Sequence, residues 1–515
     1  MPIMISGQVV PLAKIPGVST SESSCFAGKV WIADDGVITA ITKPGQADPQ
    51  GFANARSLDL GTALIFPGLI DLHSHLAYAP LPLWQEPGRT EPFKHHDSWP
   101  GSPSYAPRIT WPAYAYITAC PEEALAYAEI RALIGGTTSI QGSPPRNRPL
   151  DGWLLRNVED ETLGKTIKST KILASTLKLN NETLGRRATQ MRNASTFIYH
   201  CAEGQVGSIV ESEYQALKLT GCLQHNLVAI HTNALEGPEY GQWSAAPGTV
   251  VWSPFSNLWL YGSTTDVPAA IARGIAVCVG SDWGPSGTRN VLGELKVAQI
   301  VAKKREWNLS PLDLVKMVTA NPGDVLTRAW GKPLGRLRPE ALADLMVVES
   351  GDAADPFQSL IDATEKSVSL VMIGGKSIYG RAAHMRALGA QRISKLTAAG
   401  ADRVLSMHRL DSPTTAWSMA DVLARMEKVR ANPKKEIDAA RVTAFAAIAR
   451  GDPPGLRLAL DMPTGKVPVG GLPKDLSTIV VPPIQPLVHD KPFFDSIHGG
   501  GFHGGLLDEL AAYYG

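Results

Sequence analysis

The sequence has little that would mark nucleic acids or membranes as partners. Its 515 residues carry 49 Lys and Arg against 48 Asp and Glu, a formal net charge of +1, with no long basic run. Nucleic-acid-binding proteins usually carry a basic patch or stripe, so we expect no nucleic-acid partner. No stretch approaches the roughly 20 apolar residues that cross a bilayer, so we expect no membrane partner either.

Cysteine is also scarce. Five cysteines lie far apart and show no CxxC spacing: Cys25, Cys120, Cys201, Cys222 and Cys278. An odd, scattered set argues against a disulfide framework and fits a reducing compartment. The opening residues MPIMISGQVVPLAKIPG lack the charged start and sustained apolar core of a secretory signal. With 44% hydrophobic and 19% charged residues, the composition is that of a folded protein, and we expect it in the cytoplasm.

Strand-like apolar runs alternate with helical patterns between residues 66 and 331. The candidate strands are short runs rich in β-branched residues, at 63–69, 137–141, 171–177, 196–199, 227–230, 250–252 and 275–279. Repeated strand–helix alternation favours parallel strands joined by crossover helices, and this length suits a (β/α)8 barrel. The expected fold class is therefore α/β.

The flanks of this region have a different texture. A DG turn at Asp35-Gly36 lies between two strand-like runs, which predicts a β-hairpin, and strand-like text returns at 343–348 and 368–373. We expect residues 1–65 plus 332–384 to form one composite β-sandwich domain beside a barrel at 66–331. Residues 385–515 predict a C-terminal extension, with helices at 419–429 and 437–449 and then a Pro/Gly-rich tail, for which the sequence indicates no role.

Polar residues follow several of the predicted strands. His73 and His75 alternate along one strand, so both imidazoles can point to the same side. The others directly follow apolar runs: His200, Glu203, His231 and Asp282. Active sites of (β/α)8 barrels lie at the carboxyl ends of the strands, and imidazole and carboxylate groups bind Zn²⁺ and similar ions. The pattern therefore predicts a metal site at this end of the barrel.

These motifs resemble the amidohydrolase superfamily, metal-dependent hydrolases built on a distorted (β/α)8 barrel. The resemblance covers about residues 30 to 380 and rests on FPGLIDLHSH at 66–75, GGTT at 135–138, His200 with Glu203, His231, Ser253-Pro254 with Ser256-Asn257, Gly280-Ser281-Asp282 and Thr319-Ala320-Asn321-Pro322. The HxxE formed by His200 and Glu203 is similar to the mononuclear branch, which contains cytosine, guanine and S-adenosylhomocysteine deaminases and the triazine hydrolases.

The resemblance implies a role for each of these side chains. One divalent ion would be bound by four residues: His73, His75, His200 and Asp282. Glu203 would shuttle protons, and His231 would polarise the substrate or the attacking water, unless it is itself a ligand. Zn²⁺ suits this donor set, and Fe²⁺ or Mn²⁺ would accept the same ligands. Binuclear relatives carry a carboxylated lysine after the fourth strand, and Lys178 is the candidate for that alternative.

We predict a hydrolase that uses metal-activated water to cleave a non-peptide carbon–nitrogen bond of a small molecule, such as an amide, lactam or urea. Deamination of an amino-heterocycle is the alternative; residues 76–100 do not match the acidic, Trp-containing segment of those deaminases. A metal-dependent esterase, lactonase or dehalogenase, and a non-catalytic binding module, are the rivals. A homodimer is the base expectation for a soluble oligomer.

Some further residues carry weaker expectations. Four could lie near the substrate: Asn233, Trp283, Arg289 and Asn290. His95 and His96 are expected in a surface loop, because no strand pattern supports them as ligands. The phenylalanines between residues 493 and 502 are expected to anchor the C-terminal tail on the barrel or on a neighbouring subunit.

Overall fold

The computed structural model describes residues 1–142, 153–159, 163, 167–169, 180–193, 195–349, 351–410, 412, 414–452 and 471–515, with 455, 456, 458, 460, 463–464 and 467–468 between the last two ranges. The expected strand at 171–177 and Lys178 lie outside these residues. Within them, none of the helices combines the length and the apolar character that a membrane span requires.

Nineteen strands are present in the described residues: β1 (Ile3–Val9), β2 (Phe26–Ile32), β3 (Ile38–Thr42), β4 (Arg56–Pro67), β5 (Leu69–Asp71), β6 (Thr137–Ile140), β7 (Arg156–Asn157), β8 (Ile167–Ser169), β9 (Thr196–Cys201), β10 (Leu227–His231), β11 (Thr249–Trp252), β12 (Ala276–Val279), β13 (Leu345–Val348), β14 (Val368–Ile373), β15 (Lys376–Gly380), β16 (Ile393–Ala398), β17 (Ala401–Ser406), β18 (Pro463–Thr464) and β19 (Val467–Pro468).

The α-helices of the same residues are α1 (Trp111–Ala119), α2 (Pro121–Leu133), α3 (Asn181–Arg192), α4 (Glu211–Leu219), α5 (Gly237–Trp243), α6 (Pro254–Tyr261), α7 (Val267–Ala272), α8 (Val291–Lys304), α9 (Pro311–Lys316), α10 (Ala320–Trp330), α11 (Pro356–Asp362), α12 (Ala382–Ala387), α13 (Met419–Ala431), α14 (Pro433–Arg450) and α15 (Lys491–Ile497). Short 3-10 turns lie at Leu76–Tyr78, Gly284–Ser286, Leu476–Thr478 and Leu506–Tyr513, and a π-helical turn at Ala106–Thr110.

Parallel strands form the centre of the molecule. A three-stranded sheet has the order β5-β6-β7 and a five-stranded sheet the order β12-β11-β10-β9-β8, and every pair in both is parallel. A bridge between Ser74 and Asp282 brings the ends of β5 and β12 together. The α/β class expected from the sequence is confirmed, and this strand order is the one a (β/α)8 barrel requires.

The burial of these strands explains their sequences. Every residue of β9 and β10 is buried, as expected for barrel strands with helices on the outer face and side chains of other strands on the inner face. Their sequences are therefore apolar runs and not patterns of alternating polar and apolar residues. The expected strand at 63–69 is wrong in its extent: β4 ends at Pro67 and β5 begins at Leu69, in different sheets. Gly68 separates them, and a Cβ there would lie 2.2 Å from the side chain of Thr138.

Residues before and after the parallel strands share a second sheet. Its nine strands have the order β16-β17-β15-β14-β13-β4-β1-β2-β3. The expected hairpin is present as antiparallel β2 and β3, and Gly36 in its turn has a φ of 81°. This sheet continues to Ser406, beyond the expected boundary at 384. A buried ion pair between Arg156 of β7 and Asp344 joins it to the parallel strands.

The C-terminal residues pack on the parallel-strand region. Helices α13 and α14 lie against α2 and α1. Phe493 stacks on Phe255 with ring centroids 6.0 Å apart, and Phe502 meets the edge of Phe93 at 6.3 Å. These contacts agree with the expectation that phenylalanines anchor the tail. Phe255 and Phe93 both lie in segments that continue into the candidate active site.

Candidate active site

The ends of four parallel strands bring five side chains together. His73, His200 and His231 offer nitrogen atoms that lie within 4.8 Å of one another, and the ligand atoms of His73, His75 and Asp282 do the same. The Nε2 atoms of His73 and His75 lie 2.9 and 3.1 Å from Oδ1 of Asp282. All five side chains are buried.

Backbone geometry at the strand ends is unusual. Ala202, His231 and Asp282 have φ values of 52°, 71° and 57°, in the left-handed region that non-glycine residues rarely adopt. Such conformations cost about 1 to 3 kcal/mol each and persist where the surrounding structure fixes them. Here the backbone N–H of Asp282 donates to the carbonyl of His73, which ties β12 to β5 at the point where both carry a candidate ligand.

The donor set fits a divalent cation. Burial lowers the pKa of the His73 and His200 imidazoles, which favours the neutral form that binds metals. Burial acts to raise the pKa of Asp282, but the facing imidazoles of His73 and His231 outweigh it and hold that pKa well below its usual range. Among the described residues, Nε2 of His73 has no hydrogen bond of normal geometry, although Asp282 is adjacent.

His231 has a distinct environment. The amide nitrogen of Asn257 lies 3.3 Å from its Nδ1. With the amide donating there, the imidazole proton lies on Nε2, which is 3.7 Å from Oε2 of Glu203 and 3.9 Å from Oδ2 of Asp282. Burial lowers the pKa of His231 to about 3, so the ring is a neutral donor directed at the carboxylates.

Glu203 lies at the inner end of the loop after β9. Its backbone carbonyl accepts from the N–H of His96, and the next N–H, that of Gly204, donates to Oδ1 of Asn233. Its Oε1 accepts a hydrogen bond of 2.6 Å from the hydroxyl of Tyr261. Burial raises the pKa of this carboxyl to about 7, a value suited to a group that both accepts and releases a proton near neutrality.

The pocket beside these side chains is walled by aromatic rings. It contains about 350 Å³ of empty space, part of which is open to solvent, and its aromatic lining consists of Tyr78, Trp99, Tyr105 and Trp283. Trp99 stacks on Trp283 with centroids 5.1 Å apart. Ser256 and Ser286 also line the pocket and share a hydrogen bond of 2.9 Å. None of the described residues that line it is a lysine or an arginine.

Several weaker expectations fail. Arg289 and Asn290 do not line the pocket; Arg289 donates to Gln485, and Asn290 caps α8. Both side chains are engaged by the C-terminal tail and by helix capping, which sequence position alone does not show. The surface-loop prediction is wrong for His96, which is buried with its Nε2 2.9 Å from Oε1 of Glu213.

The remaining predicted residues differ in where they lie relative to the pocket. Trp283 does line the pocket, whereas Asn233 supports the loop of Glu203. Lys178 lies outside the described residues. Sequence reasoning missed Tyr261 and Ser286. Tyr261 had an available signal, because it lies four residues after Asn257 and therefore on the same face of one helix.

Comparison with known proteins agrees with this architecture. The profile of the amidohydrolase family matches residues 245–378. A 5-methylthioadenosine/S-adenosylhomocysteine deaminase of Haloquadratum walsbyi is 24% identical over 382 residues, 67% of this chain and 84% of that protein. Other curated deaminases match over 32 to 53% of their own length.

Solved structures show the same fold. An adenosine deaminase of Xanthomonas campestris with bound zinc has a TM-score of 0.55 and 17% identity, covering 84% of this chain and 98% of that one. A mutant atrazine chlorohydrolase of Arthrobacter aurescens, complexed with zinc and atraton, has a TM-score of 0.56 and 15% identity, covering 83% and 99%.

The comparisons confirm the resemblance seen in the sequence. The chain is similar to the amidohydrolase family over part of its length and to curated deaminases, and it shares its fold with a solved triazine hydrolase. It is accordingly similar to hydrolases that act on carbon–nitrogen bonds other than peptide bonds in small molecules.

Proposed function

We propose that this protein hydrolytically deaminates a neutral, planar amino-heterocycle. The observation that carries the proposal is the aromatic pocket that opens directly onto the buried histidine–aspartate cluster and Glu203. The similarity to curated deaminases supports deamination over the amide, lactam or urea cleavage that we first expected.

One divalent ion is proposed to be held by four residues, His73, His75, His200 and Asp282, with Zn²⁺ the best match to three imidazoles and one carboxylate. When bound, the ion supplies the Lewis acidity that makes water nucleophilic near neutral pH. The lowered pKa values of His73 and Asp282 support this assignment, because they favour the neutral imidazole and the ionised carboxylate that bind a metal. Zinc in the structure of the adenosine deaminase from Xanthomonas campestris agrees with it.

The chain's own residues then move protons and orient the ring. Asp282 Oδ2 and Glu203 Oε2 both lie near Nε2 of His231, so the three groups surround one point in the pocket. Glu203 takes a proton from the attacking water and delivers it to the leaving nitrogen. His231 donates its Nε2 proton to the atom of the substrate or the water that gains negative charge. Water adds to the ring carbon, and one of its protons reaches the amino nitrogen, which leaves as ammonia. The other proton ends on the ring nitrogen, and a ring carbonyl remains.

The pocket lining indicates the kind of ring. Trp99 and Trp283 line the pocket and stack on each other, so they form an aromatic wall that favours a flat ring. The hydrogen-bonded pair of Ser256 and Ser286 offers a small polar edge that can both donate and accept. Since the described lining lacks a cationic side chain, anionic substituents such as phosphate or carboxylate have no partner there.

Broader properties complete the proposal. The barrel would span residues 66–331, the composite β domain 1–65 plus 332–384, and the extension 385–515, whose first residues add β16 and β17 to the sheet of the β domain. Four of the five cysteines are buried and all are free, which fits the reducing cytoplasm. A homodimer is the proposed oligomeric state, because symmetric dimers are the commonest soluble oligomers.

The test combines metal content with ammonia release. Wild type should contain one equivalent of zinc per chain and release ammonia from aminopurines, aminopyrimidines or aminotriazines, but not from their carboxylated analogues. His73→Ala and Asp282→Asn should lose most of the metal. His498→Ala is the matched control, because that side chain is 81% exposed and lies in the tail. Stoichiometric metal with amide cleavage and no ammonia release from any amino-heterocycle would refute deamination.

A further inference from the structure

A hydrogen-bond chain leads from the pocket wall to Glu203. The indole N–H of Trp99 donates to the hydroxyl oxygen of Tyr261 at 3.0 Å, and the hydroxyl of Tyr261 donates to Oε1 of Glu203 at 2.6 Å. All three side chains are buried. Tyr261 is the last residue of α6, and Gly262 ends the helix in the left-handed conformation, with a φ of 64°.

The direction of this chain follows from the donors. An indole N–H can only donate, so Tyr261 accepts from Trp99 and has one proton of its own to give. Donation to Oε1 of Glu203 at 2.6 Å gives that proton its acceptor, so Oε1 accepts a hydrogen bond in this arrangement. A proton carried by Glu203 must then lie on Oε2, the oxygen that is 3.7 Å from Nε2 of His231.

We propose that Tyr261 is a positioning residue that reserves Oε2 of Glu203 for proton transfer. This inference rests on the proposed function, because Glu203 must be the proton carrier for the reservation to matter. The backbone of Glu203 is fixed independently through His96 and Asn233, so the remaining freedom lies in the carboxyl group itself. Tyr261 removes that freedom and keeps the reactive oxygen on the pocket side.

The first test is the kinetics of Tyr261→Phe in the full, metal-loaded chain. Without the hydroxyl, Glu203 can rotate and carry its proton on either oxygen. We expect kcat to fall about tenfold while KM and metal content stay within twofold of wild type, since proton transfer by a well-placed group contributes about 10² to 10⁴. Tyr214→Phe is the matched control: its buried hydroxyl donates to the carbonyl of Glu239, away from the pocket.

Trp99→Phe tests the direction of the chain. It keeps an aromatic ring against Trp283 but removes the N–H. Because Trp99 also lines the pocket, the readout for this variant is the infrared band of the Glu203 carboxyl. In the Tyr261→Phe background, Trp99→Phe should shift that band no further, because its effect on Glu203 passes through the missing hydroxyl. A further shift would overturn the chain, as would a Tyr261→Phe variant with wild-type kcat or one that loses activity only through loss of metal.

An infrared measurement separates this proposal from the proposed function. The band of the Glu203 carboxyl is the one that disappears in Glu203→Gln. In metal-free protein it should shift in Tyr261→Phe and stay in place in Tyr214→Phe, whatever the substrate. If no amino-heterocycle is turned over but the band shifts, deamination fails and the reserved oxygen stands. If the band does not move, the reservation fails even in an active deaminase.

Discussion

The carboxylate of Asp71 accepts hydrogen bonds from both the hydroxyl and the backbone N–H of Ser281, the residue directly before Asp282. The same carboxylate accepts from the backbone N–H of His73. One buried side chain thus fixes the spacing between two strands that each carry a proposed ligand. Burial raises the pKa of Asp71 to about 7, although these donors act to lower it.

Ser281→Ala should weaken metal binding without removing a ligand. Loss of the hydroxyl leaves Asp71 with fewer donors and loosens the link between β5 and β12. We expect the metal dissociation constant, measured by competition with a chromophoric chelator, to rise about tenfold. Ser377→Ala, a buried serine of β15, is the control and should bind metal as wild type does. Equal affinity in the two variants would contradict a supporting role for Ser281.

Asn257→Asp should impair catalysis through the tautomer of His231. An aspartate cannot donate to Nδ1 and instead accepts a proton from it, so Nε2 loses the hydrogen that faces Glu203. We expect kcat to fall about 10- to 100-fold with metal content unchanged. Steady-state kinetics and elemental analysis measure the two quantities. Asn180→Asp, at the exposed start of α3, controls for the added charge. A wild-type kcat for Asn257→Asp would exclude the Nε2-protonated ring.

Trp283→Leu should raise KM more than it lowers kcat. The indole provides stacking surface beside the reacting groups but holds no proton that the reaction uses. We expect KM for an amino-heterocycle to rise about tenfold, in line with aromatic contacts of about 0.5 to 1.5 kcal/mol plus lost apolar area. Trp417→Leu is the comparison, since Trp417 stacks on Trp153 at 6.2 Å outside the pocket. An unchanged KM in Trp283→Leu would show that the substrate does not use this wall.

Glu129 should make stability fall as the pH rises. Burial raises the pKa of this carboxyl to about 7 from an ordinary 4.5, although Asn157 and the N–H of Leu155 donate to it. The folded state therefore binds the proton more tightly than the unfolded state. The free energy of unfolding is greatest below pH 4.5 and declines as the pH rises to about 7, by about 3 kcal/mol from this group.

Glu129→Gln isolates that contribution. Urea unfolding of metal-free wild type and variant at pH 5 and pH 8 should show the variant gaining about 2 to 3 kcal/mol relative to wild type at the higher pH. The amide has no charge to bury, so its stability loses this part of the pH dependence. A constant difference between the two proteins across that range would show that Glu129 titrates at its ordinary pKa.

The positions of the candidate site residues were predictable wherever the pattern of a single strand determines them. His73, His200, His231 and Asp282 each follow a buried apolar run, and parallel strands bring their carboxyl ends to one place. The alternation of His73 and His75 needs only the two-residue period of a strand. The strand pattern thereby predicts where these side chains lie, whereas the role of each side chain stays a prediction.

Contacts between distant loops were not predictable. His96 was predicted to lie in a surface loop, yet its side chain is buried and hydrogen-bonded to Glu213, 117 residues later. Arg289 looked close to the substrate, yet Gln485 of the tail binds it. Tyr261 meets Glu203 across 58 residues. In each case the partner lies in a distant segment, and the helix and strand periodicity of the sequence does not indicate which segments come into contact.

Strand β4 has a consequence for the order of assembly. It lies between β1 and β13, and Pro67 of β4 pairs with Leu345 of β13, with the parallel strands β5 to β12 between them in the sequence. Pairings between such distant residues are slow to form, because the entropy of closing a long loop is lost before the stabilising contacts are made. We expect the nine-stranded sheet to form last during folding. Its strands come from before and after the parallel strands, so the completed sheet holds together the two ends of the region that carries the site.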